Sequence, residues 1–186
     1  MNKVSAIETE RLLIRSVQLT DVGALHEGIF RDPELMGTGI YLGRALSYEE
    51  SHSFVARMCA PRHDKRYIAP SVFFLRETND LVGYGGLSSE TNWGDLYYTN
   101  AARLDAELFY VLQQPYWGQG LATEMAKTVI EAAFLRQGVD RVWASINPAN
   151  QASQRVVEKA GMIRSQEIAE SDQRLYLYEI TRPRQQ

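Results

Sequence analysis

The chain has 186 residues, 45% apolar and 23% charged, with a formal net charge of -3. That length suits one domain with a core large enough to stand alone. The charge excludes a general pull toward nucleic acid or an anionic membrane. Cys59 is the sole cysteine, so no intramolecular disulfide can form, which suits a reducing cytoplasm. The start Met1-Asn2-Lys3-Val4 has no apolar signal core behind it, and no run is long enough to span a bilayer. The expectation is a single cytoplasmic domain over residues 1–186.

In chain order, Arg11 to Arg15 reads as a strand with Leu12 and Ile14 on one face. Thr20 or Asp21 caps a first helix near Asp21 to Phe30, and Asp32-Pro33 ends it. Ser47 caps a second helix, with Glu50 in the capping-box position; it runs to about Cys59 and stops at Pro61. Ser71 to Arg76 and Leu81 to Ser88 form a hairpin about the turn Thr78-Asn79-Asp80. Tyr98 to Ala102 leads into a long strand ending at Leu112. A glycine turn follows, then a helix from Gln119 to Arg136 that Gln137-Gly138 ends. Val139 to Ile146 is a strand and Asn150 to Ala160 a helix. Met162 to Ile168 and Arg174 to Thr181 are the last strands, and the tail Pro183-Arg184-Gln185-Gln186 frays. A meander of strands followed by strand-helix-strand-helix-strand predicts a mixed α/β fold without linkers or repeats.

The most informative stretch is Tyr116-Trp117-Gly118-Gln119-Gly120-Leu121-Ala122-Thr123-Glu124, which follows the apolar run Leu108-Phe109-Tyr110-Val111-Leu112. Glycines remove the Cβ atoms that would hold a ligand off the backbone. The first helical turn leaves N–H groups unpaired at the positive end of the helix dipole. The segment therefore reads as a phosphate pocket. A dinucleotide fingerprint fails because Thr123 stands at the third glycine, and a P-loop fails because no Lys-Ser/Thr pair follows Gly120.

The remaining pattern, Gln/Arg-x-x-Gly-x-Gly/Ala, is the acyl-coenzyme A loop of the GNAT acetyltransferases, and Trp117 to Ala122 resembles it. Gly120 and Ala122 fit the small positions. Trp117 departs from the usual Gln or Arg, in the manner of the branch that includes the ribosomal-protein N-terminal acetyltransferases. Asn147-Pro148-Ala149-Asn150-Gln151-Ala152-Ser153 through Glu158-Lys159-Ala160-Gly161-Met162 resembles that branch's Asn-x-x-Asn-x-x-Ser-x-x-x-x-Glu-Lys-x-Gly-Phe. Thr9-Glu10-Arg11-Leu12-Leu13-Ile14-Arg15 resembles its opening strand. The likeness runs from about Ile7 to Tyr178.

The resemblance implies a mixed, mostly antiparallel twisted sheet flanked by helices, with the cofactor in a splay between central strands. It implies acetyl-coenzyme A as co-substrate and no metal. The backbone of Tyr110, Val111 and Leu112 would hold the pantetheine and polarise the thioester where the strand splays or bulges. Trp117, Gly118, Gln119, Gly120, Leu121, Ala122 and Thr123 would hold the pyrophosphate, and Asn150 and Ser153 the pantetheine arm. Glu107 is the candidate base, its alternative being a solvated or salt-bridged surface carboxylate. Many members carry a tyrosine as acid where this chain has Val157, so Ser153 is the candidate acid; otherwise the thiolate leaves unaided.

Other features read plainly. His26, His52 and His63 lack metal-ligand spacing. Cys59 reads as a packing residue. Gly83-Tyr84-Gly85-Gly86 allows strand distortion or a close ligand approach. Arg62-His63-Asp64-Lys65-Arg66 is a solvated loop, and Tyr41, Trp93, Tyr97 and Tyr98 either line an acceptor cleft or pack internally. The function expected is direct transfer of acetyl from acetyl-coenzyme A to a primary amine, foremost a protein N-terminus. The alternatives are a small amine (polyamine, amino acid, aminoglycoside) or a catalytically weak acyl-coenzyme A sensor. No nucleic-acid or membrane partner is expected, and a homodimer stays open.

Overall fold

The structure, a computed structural model, describes residues 6–37, 43–60, 70–88, 104–170 and 173–183. Eight strands form one sheet: β1 Ile7–Glu8, β2 Leu12–Ser16, β3 Ser71–Leu75, β4 Leu81–Ser88, β5 Asp105–Leu112, β6 Arg141–Ile146, β7 Ile163–Glu170 and β8 Gln173–Thr181. Their order is β1-β2-β3-β4-β5-β6-β8-β7. Every neighbouring pair is antiparallel except β5 and β6, which run parallel. Parallel neighbours need a crossover, and α4 Leu121–Ala132 supplies it. The mixed, mostly antiparallel sheet expected from the resemblance is present.

Helices cover both faces. On one, α1 Val22–Leu25, α2 Pro33–Gly37 and α3 Tyr48–Cys59 bury Leu25, Phe30 and Val55 against Val72, Tyr84 and Phe109. On the other, α4 and α5 Gln151–Lys159 bury Met125, Ile130 and Val157 against Leu108, Val142 and Ala144. Each such aliphatic side chain taken out of water contributes roughly 1.5–3 kcal/mol.

Local signals behave as their chemistry demands. Ser47 Oγ accepts from Glu50 N–H at 3.2 Å, and Glu50 returns a carboxylate to Ser47 N–H at 2.8 Å, completing the capping box of α3. The first helix departs from expectation. Asp21 reaches backward to accept from Gln18 N–H at 2.8 Å, held there by both outer nitrogens of Arg15, so a tight turn over Leu19–Asp21 precedes α1. After Leu25 the helix widens into π turns over His26–Phe30. Asp32 does not simply end it. Its carboxylate accepts from Glu34 and Leu35 N–H and starts α2, with Pro33 in the first position where no donor is needed.

The glycine run in β4 is explained by its neighbour strand rather than by a ligand. A Cβ on Gly83 would meet Val111 O at 2.3 Å, and one on Gly85 would meet Phe109 O at 2.3 Å. Gly85 and Gly86 also hold φ of 147° and 105°. The distortion sits in β4, where glycine adopts such angles at least cost. The β4–β5 register runs without a shift from Gly83↔Leu112 to Ser88↔Glu107.

Among the described residues no helix is long and apolar enough to cross a membrane, and no cluster of three metal-ligating side chains occurs. Tyr41, Arg62 to Arg66, Trp93, Tyr97, the lead-in from Tyr98 to Ala102, and residues 184–186 lie outside the described residues.

Candidate active site

The two parallel strands separate partway along. β5 and β6 pair only over Asp105↔Arg141, Ala106↔Val142 and Glu107↔Trp143. Beyond that point β5 stays paired with β4 as far as Leu112, and β6 with β8 as far as Ile146. Their inner edges are thus left facing a widening slot. Gln113 N–H donates to Val82 O at 2.9 Å, which fixes the alternation along β5. The peptide groups of Glu107, Phe109 and Val111 point toward β4, and those of Tyr110 and Leu112 toward the slot. Val111, expected beside Tyr110 and Leu112, has its main chain turned to β4.

Glu107 stands at the fork. Its side chain is on the face covered by α1 to α3, in a row with Trp143 and Glu179. The residue is 2% exposed, and its Oε1 has no hydrogen-bond partner. Burial pushes the carboxyl up to about 7, against a smaller downward pull from the Ser145 hydroxyl. On the same face Arg141 bridges Asp105 at 2.5 Å and Glu179 at 3.2 Å. Arg141 thus ties the β5 carboxylate of Asp105 to the β8 carboxylate of Glu179.

The glycine loop ends in a helix start whose first amides lack helical partners. Gly118 and Gly120 hold φ of 72° and 80°, left-handed values that other residues strain to reach. Gly120 is the N-cap of α4, and the first helical bond runs from Glu124 N–H to Gly120 O. The amides of Leu121, Ala122 and Thr123 thus have no partner within the helix. Leu121 turns its side chain into the core, so only its amide is available. Open space surrounds the position of a Cβ on Gly118. Trp117 is half-exposed and donates its indole N–H to Leu112 O at 2.8 Å, tying the loop to the end of β5. Gln119 donates its side-chain amide to Pro115 O at 2.7 Å.

Asn150 caps α5, its Oδ1 accepting from Ser153 N–H at 3.0 Å. Ser153 stands one turn in, near Tyr110, whose side chain lies on the α4 and α5 face and whose hydroxyl is buried without a well-formed hydrogen bond. The structure therefore brings Tyr110, Leu112, the 117–123 loop, Asn150 and Ser153 around the slot from one side. Glu107 stands at the slot's closed end on the opposite face. A thioester carrier fits this arrangement: the slot offers open peptide groups to an extended arm, and the loop offers amides to its phosphates.

Sequence reasoning missed the brace beneath the loop. Arg11 donates its Nε to Glu124 at 2.7 Å and its Nη1 to Gln119 O at 2.9 Å. Arg11 N–H and Thr9 Oγ1 also bond Glu124, at 2.9 and 2.5 Å. Both partners stand in quoted blocks, but nothing in either block points to the other, more than a hundred residues away.

A protein-family model described as an acetyltransferase (GNAT) domain matches residues 11–163. The uncharacterized protein YkkB of Bacillus subtilis (strain 168) is 25% identical over 180 residues, spanning 96% of this chain and 97% of its own length. The crystal structure of an acetyltransferase (GNAT family) from Bacillus anthracis superposes with a TM-score of 0.74 at 25% identity, covering 96% of this chain and 99% of that one. The structure of RimL, a ribosomal L7/L12 alpha-N-protein acetyltransferase in complex with coenzyme A, superposes with a TM-score of 0.79 at 17% identity, covering 95% and 98%. That last likeness is one of fold.

Proposed function

The chain belongs to the GNAT acetyltransferase family and so transfers acetyl from acetyl-coenzyme A to an amine; from that premise we propose its acceptor and the residues that act. The acceptor is an α-amine at a protein N-terminus, attacking the thioester directly in a ternary complex. The observation that carries this reading is Glu107, a buried carboxyl with a free oxygen at the fork of β5 and β6. A base held at about 7 suits an α-amine, whose pKa lies near 8, better than a lysine or polyamine amine near 10. The fold likeness to a ribosomal-protein alpha-N-acetyltransferase supports the same acceptor.

In this reading the amides of the 118–123 loop hold the pyrophosphate, and Asn150 and Ser153 hold the pantetheine. The Tyr110 N–H, turned to the slot, donates to the thioester oxygen as it gains charge. Glu107 takes the proton from the ammonium, and Ser153 donates a hydrogen bond to the departing sulfur. The whole chain acts as one cytoplasmic domain. Cys59 takes no part: its thiol donates to Val17 O at 3.5 Å, and burial raises its pKa.

Thiol release from acetyl-coenzyme A over an amine panel tests this. A peptide with a free N-terminus should turn over, and the same peptide N-acetylated should not. Turnover confined to spermidine, a free amino acid or an aminoglycoside would replace the acceptor. Coenzyme A binding without turnover on any amine would make the protein a sensor.

A further inference from the structure

Val157 on α5 has its side chain fully in the core and can donate no proton. The chain places a phenol at the slot from a different element. Tyr110 projects from β5 toward α5, and its hydroxyl is buried within reach of Ser153 but without a well-formed hydrogen bond. A buried hydroxyl left unbonded costs about 1–3 kcal/mol, so one that persists calls for an explanation.

We propose that Tyr110 is a positioning residue for the leaving group, its hydroxyl donating to Ser153 so that the Ser153 O–H is turned onto the coenzyme A sulfur. The inference rests on the acyl-transfer reading above. As the amine nitrogen bonds to the carbonyl carbon, the C–S bond breaks and its electron pair stays on sulfur. Glu107 takes the proton lost by the amine and releases it to solvent; the sulfur leaves as a thiolate, its charge stabilised by the Ser153 O–H, and is protonated from solvent on release. Burial pushes the Tyr110 phenol up to about 12, so it stays protonated, a donor, throughout the working range. Tyr110 thus contributes twice: its amide faces the slot from the strand, and its side chain backs Ser153 from the helix side.

The test needs no acceptor. Coenzyme A and desulfo-coenzyme A are bound by calorimetry from pH 6 to pH 9, and the thiolate absorbance of bound coenzyme A is titrated alongside. Donors aimed at the sulfur favour its ionised form, so the wild-type protein should prefer coenzyme A increasingly as pH rises. Tyr110→Phe, which keeps the packing, should lose roughly tenfold of that preference while binding desulfo-coenzyme A unchanged. Ser153→Ala should lose at least as much, and the double variant no more than Ser153→Ala alone. Should Tyr110→Phe fail to fold, Tyr110→Leu takes its place, and a Tyr110→Leu protein titrating like wild type overturns the proposal equally. A Tyr110→Phe protein titrating like wild type, or a Ser153→Ala protein keeping its preference, overturns the proposal. Binding of neither coenzyme overturns the acyl-transfer reading with it, whereas binding of both without a thiolate preference overturns only this inference.

Discussion

Replacing Glu107 by Gln separates the buried carboxyl from everything else that titrates. Glu107 is 2% exposed, and burial lifts it from an ordinary 4.5 to about 7. Between those values the folded protein keeps a proton that the unfolded chain has released. The folded pKa is raised on an acid, so its stabilising effect is complete below about pH 4.5 and disappears as pH climbs through 7. At 1.36 kcal/mol per pH interval, the loss amounts to about 3 kcal/mol, a large part of a typical domain's stability. Glutamine keeps the shape and cannot ionise. Urea unfolding of both proteins at steps from pH 4.5 to pH 8 should give curves that diverge, with Glu107→Gln the more stable at pH 8 by about 3 kcal/mol. Other carboxylates cancel in the difference. Parallel curves would refute the buried-carboxyl argument. The rate supplies a second check: kcat/KM should rise with pH through about 7 and fall again above about 8 as the acceptor ammonium ionises, and the rising limb should vanish in the slow Glu107→Gln enzyme. Diverging stability with an unaltered rate profile would leave Glu107 buried but remove it from the chemistry.

Gly120→Asp should weaken coenzyme A binding by roughly tenfold or more in calorimetry, because a carboxylate would face the phosphates at the helix start. A Cβ there lies 3.6 Å from Arg11 Nη2, so Gly120→Ala serves as the control for strain alone; unchanged affinity in Gly120→Asp would count against the loop. Glu124→Ala removes the acceptor shared by Thr9 and Arg11 and should cost about 2 kcal/mol in urea unfolding, with weaker coenzyme A binding. Burial raises the Glu124 pKa, but the bonds from Thr9 and Arg11 outweigh it and hold the group below 4.5. Its contribution is therefore present at neutral pH and lost on acidification, and wild type should lose more stability than Glu124→Ala as pH drops below 4. Gly85→Ala should leave little folded protein by circular dichroism, because a methyl group 2.3 Å from Phe109 O forces β4 and β5 apart; a cooperative wild-type melt would show that the strands can yield.

Much of the fold was legible because its signals act within one turn of chain. Ser47 and Glu50 close on each other three residues apart, Asn150 on Ser153, and Gly138 and Gly161 hold left-handed angles where helices end. Such pairs need no distant partner to form. The glycine loop was legible for the same reason, since Gly118 and Gly120 supply the left-handed angles that a turn from strand into helix uses. The start of α1 differs because Arg15, six residues back on β2, holds Asp21 and turns it toward Gln18, a pairing set by the strand-to-helix turn rather than by helical spacing.

The residues alone determined the order of elements, the caps of α3 and α5 and the glycine turn before α4, all products of neighbouring backbone and side-chain chemistry. Tertiary structure decided the rest. Strand alternation assigns Glu107 and Tyr110 to opposite faces, but only packing against α1 to α3 and against α5 says what each face meets. Only the sheet's register shows β5 and β6 parting after Glu107, and only the closing of β2 onto α4 brings Arg11 under the loop. Contacts between residues so far apart exist only once the whole sheet has formed, because closing such long loops costs entropy that no local pairing can offset.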